Sequence, residues 1–232
     1  MNKSTTIGIT ALTRKQLFRT GGIAALVALV LIPVQIVVFG VWPPPGTVSD
    51  WFSLLQANPI RGLLNFDLLY MVTNTLMVPI YLALYTALKE TDEAAMTLAI
   101  LIGLVGVTIY FASNPAVEML SLSHLYAAAT TPERQAALLA AGEAMLATYK
   151  GTAFVVYYLL NAATLLILSI VMLHSHLFSK LTAWAGIISG IFMIVPSTFG
   201  TVGLIFSLLS LLPWALFSIL IARRLLSDRL LV

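Results

Sequence analysis

Three ionisable side chains within Ser113–Phe154 have the chemistry of acid/base catalysis. Glu118, His124 and Glu143 stand in "AVEML", "LSHLY" and "AGEAM", each between small or apolar neighbours. A carboxylate flanked by alanines is open to close approach by another helix, and an acid beside a histidine transfers protons near neutral pH. The plainer account is a pair of solvated glutamates and a hydrogen-bonded histidine, because such clusters specify sites only weakly.

A second constellation is suited to hydrogen bonding. "FDLLYMVTN" places Asp67, Tyr70 and Asn74 at spacings of three and four, one face of a helix, and Tyr81 and Tyr85 continue the stripe. "VVYYLLNAAT" carries Tyr157, Tyr158, Asn161 and Thr164. In an apolar setting such groups must find partners. An Asn–Asn or Asn–Tyr bond between the two helices, worth about 0.6–2 kcal/mol, is the structural reading. The functional reading is an outward-opening pocket lined by Asp67, Tyr70, Asn74, Tyr157 and Asn161. It would hold a small apolar or amphipathic ligand, lipid included, under a lid formed by residues 113–151. Asp67 also has a simpler role, in the first turn of a helix whose dipole favours an acid there.

Other chemistries lack their residues. The chain has no cysteine, so disulfides, thiolate metal sites and a cysteine nucleophile are excluded. His174 and His176 fall in a different loop from His124, and no set of His and acidic ligands with metal-site spacing is present, so no metal and no cofactor is expected. Neither a phosphate loop, a dinucleotide fingerprint nor a G-x-S-x-G elbow occurs. Nucleic-acid binding has no basic face to support it.

The elements that must position these residues are apolar helices. The 232 residues are 60% hydrophobic and 9% charged, with mean hydropathy +1.00, whereas a soluble domain carries roughly 25% charged residues. Only a bilayer accounts for so much apolar sequence. The long continuous runs point to helices rather than to the alternation of a membrane barrel. The first run, Gly21–Val41, follows a basic stretch as a signal peptide would. It is longer than the ~7–15 residues of such a signal and ends in "WPPPG", so it reads as a transmembrane helix. Further spans are expected near Phe66–Leu88, Ala94–Ala112, Thr152–Leu173, Leu181–Phe199 and Thr201–Ala222, making six. Gly200 would form a tight turn between the last two, and Pro33, Pro79 and Pro213 fall within spans. The expected fold class is therefore an all-α, polytopic membrane protein with an extracytoplasmic amphipathic helical cap. Its parts are a tail of residues 1–20, a membrane domain of residues 21–222 including outer segments 42–65 and 113–151, and a basic tail of residues 223–232.

Two outer helices are also predicted. Ser49 would cap a short helix Asp50–Ala57, whose Trp51, Phe52, Leu54 and Leu55 suit an interface-lying orientation. In "TTPER", Thr131 caps, Pro132 takes the first helical position and Glu133 meets the positive end of the dipole. The helix Pro132–Lys150 then gathers Leu138, Gly142, Met145 and Tyr149 on one face, widened by Leu139 and Leu146. Ala136, Ala140, Glu143, Ala147 and Lys150 lie opposite.

Charge sets the orientation. With six spans, Lys3, Arg14, Lys15, Arg19, Lys89, Lys180, Arg223, Arg224 and Arg229 share one side, leaving Arg61, Arg134 and Lys150 on the other. The positive-inside rule puts the first set, and both termini, in the cytoplasm.

The stretches "EMLSLSHLYAAATTPERQAALLAAGEAMLATYKGTAF", "YYLLNAATLLILSIVML" and "LFSKLTAWAGIISG" resemble the bacterial six-helix membrane proteins grouped as domain-of-unknown-function family 4386. The resemblance covers most of the chain and is clearest from Glu118 to Gly190. It implies a multi-pass protein of the inner membrane and transfers no residue role. The leading expectation is a membrane binding protein with lipid and a small apolar ligand as partners. The alternatives are a lipid-modifying enzyme using Glu118, His124 or Glu143, and an accessory subunit exposing Gly103 and Gly106 to lipid. The sequence sets no oligomeric state.

Overall fold

The computed structural model describes the backbone of residues 3–227 and the side chains of residues 13–227. Lys3 as a charge, Arg229 and the end of the basic tail lie outside the described side chains. The described residues form ten helices and no strand: α1 (Lys3–Val41), α2 (Val48–Ala57), α3 (Pro59–Asn65), α4 (Leu68–Leu88), α5 (Glu93–Ser113), α6 (Ala116–Ala128), α7 (Pro132–Tyr149), α8 (Thr152–His174), α9 (Lys180–Phe192) and α10 (Gly200–Leu225). Five helical segments among them are long and apolar enough to cross a membrane: Thr13–Val41, Leu68–Leu88, Glu93–Ala128, Pro132–His174 and Gly200–Leu225. Large apolar side chains are exposed along them, such as Val37 and Leu212, as lipid contact requires.

Several boundaries depart from expectation for local reasons. Residues 3–20, expected as a tail, continue α1 without a break; their charges do not oppose helix formation, since Lys and Arg are good helix formers. The fifth expected span, Leu181–Phe199, is helical only to Phe192. Pro196 cannot continue a helix and pushes the residue before it out of the α region, so residues 193–199 form turns. Gly200 then adopts φ 62° to open α10. Pro33, Pro79 and Pro213 lie inside continuous helices. Thr47, not Ser49, caps α2: its Oγ1 accepts from the Asp50 N–H at 3.2 Å and donates to the Asp50 carboxylate at 2.7 Å.

The chain forms two compact units. Unit 1 comprises Met1–Val30, Thr73–Val107 and Tyr157–Val232; unit 2 comprises Leu31–Val72 and Thr108–Val156.

Unit 1 is a helical bundle. Its core gathers Phe18, Tyr81, Leu84, Leu88, Met96, Leu168, Met172, Phe217 and Ile221, with Ala and Gly at close helix contacts. A Cβ on Gly186 would lie 2.0 Å from Ser169 Oγ and 2.9 Å from the Phe217 ring, so only glycine admits this approach of α9 to α8 and α10. The Ser189 hydroxyl of α9 donates to the Ser210 carbonyl of α10 at 3.1 Å. With Gly186 beside Phe217 and Pro196 beside Gly203, these contacts make α9 and α10 an antiparallel hairpin.

Unit 2 has its own core of Val48, Trp51, Phe52, Leu55, Phe66, Ala116, Met119 and Tyr149. The face of α7 is as its periodicity predicts. Leu138, Gly142 and Tyr149 are buried, Leu139, Met145 and Leu146 are partly so, and Ala136, Ala140, Glu143, Ala147 and Lys150 are exposed. Thr131 caps it by accepting from the Arg134 N–H at 3.2 Å. Gly142 lets α7 settle on Val48 and Phe52 of α2. The expected interface-lying orientation of α2 is thereby corrected: Trp51, Phe52 and Leu55 turn into protein, because α6 and α7 offer that face a better-packed partner than a headgroup layer does.

Candidate functional site

A polar centre forms in each unit. In unit 2 it forms at the junction of α3 and α4. Pro59 opens α3 under an Asn58 cap, and Phe66 and Asp67 separate it from α4. Asp67 is therefore not in the first turn of a helix, as its position in the sequence had indicated. It holds φ 61°, the left-handed region, which Asp tolerates better than most residues. Its carbonyl accepts from the Met71 N–H at 2.9 Å, so it initiates α4.

The turn is held from several helices. Gln35 Nε2 of α1 donates to the Leu64 carbonyl at 3.1 Å, and Asn114 Nδ2 donates to the Phe66 carbonyl at 2.7 Å. The Phe66 ring stacks on Trp51 at 4.0 Å and meets the edge of Tyr149 at 5.5 Å. The Tyr149 hydroxyl of α7 donates to the Asp67 carboxylate. Asp67 is 8% exposed and precedes the apolar segment that begins at Leu68. Burial pushes its carboxyl up to about 6; the Tyr149 bond and the positive charge of Lys150 pull the other way and do not prevail.

In unit 1 the polar centre joins α4, α5 and α8. The Tyr81 hydroxyl donates to Asn161 Oδ1 at 2.9 Å, and Asn161 Nδ2 donates to the Tyr157 carbonyl at 3.0 Å. The Thr164 hydroxyl lies 2.8 Å from the Leu160 carbonyl and 3.3 Å from that of Ala99. Gly103 of α5 packs on the Tyr81 ring and Thr164, and Gly106 packs on Asn161 and Leu160. Beside this seam lies a cavity of about 50 Å³, whose wall includes Met77, Tyr81, Asn161, Met193, Trp214 and Phe217. Asn161 keeps one N–H and one lone pair beyond the bonds above, and Tyr81 keeps its acceptor capacity. The cavity wall is thus mostly apolar, with polar groups from Tyr81, Asn161 and Ser218.

The residues expected to line one pocket do not share a unit. Asp67 and Tyr70 belong to unit 2; Asn74, Tyr157 and Asn161 belong to unit 1. Asn74 is buried, and Tyr70 and Tyr157 are half-buried. The interhelical Asn–Tyr bond is present, with Tyr81 as the partner of Asn161. Glu118 and His124 on α6 and Glu143 on α7 are all exposed. No group of three or more His, Asp and Glu side chains that could hold a metal ion occurs among the described residues. Gly103 and Gly106 are buried against side chains, not turned to lipid.

Sequence reasoning did not assign Tyr149, Gln35 or Asn65 to a polar centre. Gln35 had a visible signal, since it is the sole amide within the apolar run Gly21–Val41. Tyr149 had none, because its ring belongs to the apolar face of α7 and only its hydroxyl reaches Asp67. No protein-family model, curated protein or solved structure matches the chain.

Proposed function

We propose that the chain is a multi-pass protein of the bacterial cytoplasmic membrane that binds a small apolar or amphipathic molecule in the cavity of unit 1. The supporting observation is the pairing of a mostly apolar wall with a few polar groups, Ser218 and the bonded pair Tyr81–Asn161, of which Tyr81 and Asn161 retain hydrogen-bonding capacity. This is the usual composition of a small-molecule site. At about 50 Å³ the cavity is well below the ~150 Å³ that admits benzene in an engineered protein core. It therefore takes a ligand of few heavy atoms, or the end of a longer chain. Met77 and Met193 in its wall are the adaptable residues that would widen it.

The orientation belongs to the same proposal. Arg14, Lys15, Arg19, Lys89, Lys180, Arg223 and Arg224 all fall in unit 1, whereas Arg61, Arg134 and Lys150 fall in unit 2. The antiparallel hairpin puts Lys180, at the start of α9, level with Arg223 and Arg224 at the end of α10. That supports counting residues 180–199 as a sixth crossing beside the five long segments, with both termini in the cytoplasm. It also accords with the resemblance to the six-helix family. Neither alternative function gains a supporting contact: the three acid/base residues are exposed, and Gly103 and Gly106 are buried.

Binding is tested by thermal denaturation in detergent with a series of primary alcohols of increasing chain length, alongside native mass spectrometry of gently purified protein. The expected result is stabilisation that rises with chain length and then stops, and that is lost in Asn161→Leu. Equal responses in both proteins, or none in the wild type, would refute the cavity as the site. The absence of cysteine makes the topology directly testable: single cysteines at Lys180 and Thr130 are expected to react from opposite sides of the membrane.

A further inference from the structure

Buried polar atoms of α1 and α3 in unit 2 without a hydrogen-bond partner in the protein are Gln35 Oε1, Arg61 Nε, Asn65 Oδ1 and Asn65 Nδ2. Gln35 is 0% and Asn65 1% exposed, and Arg61 is half-buried. The Gln35 amide cannot be rotated to remove its orphan. Its Nε2 donates to the Leu64 carbonyl at 3.1 Å, and the flipped amide would set oxygen against oxygen. The Leu64 carbonyl belongs to the peptide that enters Asn65, so Gln35 is bonded to the backbone directly before Asn65. Two residues further on is Asp67, buried, in the left-handed region and bound by Tyr149.

Buried amides are rarely left unpaired, and ordered water is their usual partner where protein supplies none. The chemistry of the orphans selects among ligands. A bare cation takes oxygen ligands and has no use for the two donors, Arg61 Nε and Asn65 Nδ2, and an anion has no use for the two carbonyl-type oxygens. Water donates and accepts, and can meet both the donors and the acceptors of this set. We propose that Gln35 and Asn65 hold ordered water at the α3–α4 junction and that this water carries protons to and from Asp67, making the junction a buried proton-binding site.

The step is a plain proton transfer. Hydronium from solvent passes its proton along the bound water, the Asp67 carboxylate becomes a neutral carboxylic acid, and water is returned; the reverse releases the proton. The groups around Asp67 leave it free to titrate. From α7, Tyr149 donates to it and Lys150 adds a positive charge; Tyr70 of α4 adds a second phenol close to Tyr149. On α3 the Arg61 guanidinium lies over the Trp42 ring at 5.6 Å, and on α2 Asp50 is bound to Thr47. Glu118, His124, Glu133, Arg134 and Glu143 on α6 and α7 are exposed. The carboxyl, raised by burial to about 6, changes charge within the range a cell compartment spans.

Infrared difference spectroscopy of the full chain in lipid nanodiscs tests this, with the pH stepped from about 8 to about 5 across the raised carboxyl range. A carboxylic C=O band is expected to grow on acidification and to be missing from Asp67→Asn. In Gln35→Met, a near-isosteric change that deletes the orphan oxygen together with the Nε2 donor to the Leu64 carbonyl, and in Asn65→Leu, the band's midpoint is expected to move up by about one pH unit, because removing bound water disfavours the carboxylate. Exchange of the band with deuterium is expected to slow. A band that persists in Asp67→Asn assigns the titration to another carboxyl and overturns the proposal. An unchanged midpoint and exchange rate in Gln35→Met overturns the water relay, and that variant decides the question should Asn65→Leu fail to fold.

Discussion

Replacing Asp67 by asparagine is expected to stabilise the protein at neutral pH, against the usual effect of altering a buried hydrogen-bonded residue. Burial moves the carboxyl from 3.8 to about 6, so the folded state holds this proton more tightly than the unfolded state does. Below the lower value both states are protonated and Asp67 carries no penalty. As pH rises through the window, the unfolded chain ionises first and stability falls. Above the upper value the full penalty applies, about 3 kcal/mol for about two units. The net shift already contains the opposing effects of Tyr149 and Lys150, so nothing further is subtracted. The introduced amide imitates the protonated acid: its oxygen still accepts from Tyr149, and asparagine adopts the left-handed region readily. At ~2–4 °C per kcal/mol for a chain of this size, the apparent Tm at pH 8 is expected to rise by roughly 6–12 °C. The wild type should lose stability between about pH 4 and about pH 7 while the variant stays level. Intrinsic fluorescence during heating in detergent reads this directly, since Trp51 stacks on Phe66 beside the site. A variant that melts below the wild type at pH 8, or that shares its pH profile, would show that the fold favours the ionised form and would refute the reasoning.

Tyr81→Phe removes the donor to Asn161 and leaves a buried amide oxygen short of a partner; a loss of about 1 kcal/mol is expected, measured by thermal melting. Gly186→Ala sets a methyl group against Ser169 Oγ and the Phe217 ring, with an expected loss of about 1–3 kcal/mol. Ser169→Ala alone removes a buried hydroxyl without a partner and is expected to be neutral or stabilising by about 1 kcal/mol in the same assay. His124→Ala, at an exposed position on α6, is expected to leave expression and melting within about 0.5 kcal/mol of wild type.

The elements whose construction is local were legible in the sequence. The spacing of Leu138, Gly142 and Tyr149 determines the buried face of α7, and Thr131 followed by Pro132 fixes its start, because both features depend on residues within a few turns of each other. The same holds for the apolar segments, whose length and composition alone match a bilayer. The break at Pro196 is equally local, but the apolar run "IFMIV" leads straight into it and proline acts through the backbone rather than through polarity, so hydropathy does not show it. Asp67 shows the limit of periodicity. Counted as a helical residue it shares a face with Tyr70 and Asn74, but one left-handed residue at the α3–α4 junction takes it out of that register.

By itself, then, the sequence determined a chain of apolar helices, the amphipathic face of α7 and the uneven placement of its lysines and arginines. Tertiary structure alone decided which polar groups meet: Asp67 with Tyr149, Tyr81 with Asn161, and Gln35 and Asn65 with orphan atoms that no protein group satisfies. The physical reason is that helices for a bilayer are apolar on every side, so hydrophobicity does not say which face turns inward. Partners some eighty positions apart, as in both bonded pairs, are matched by the close packing of glycines and aromatic rings between helices, which no local pattern records.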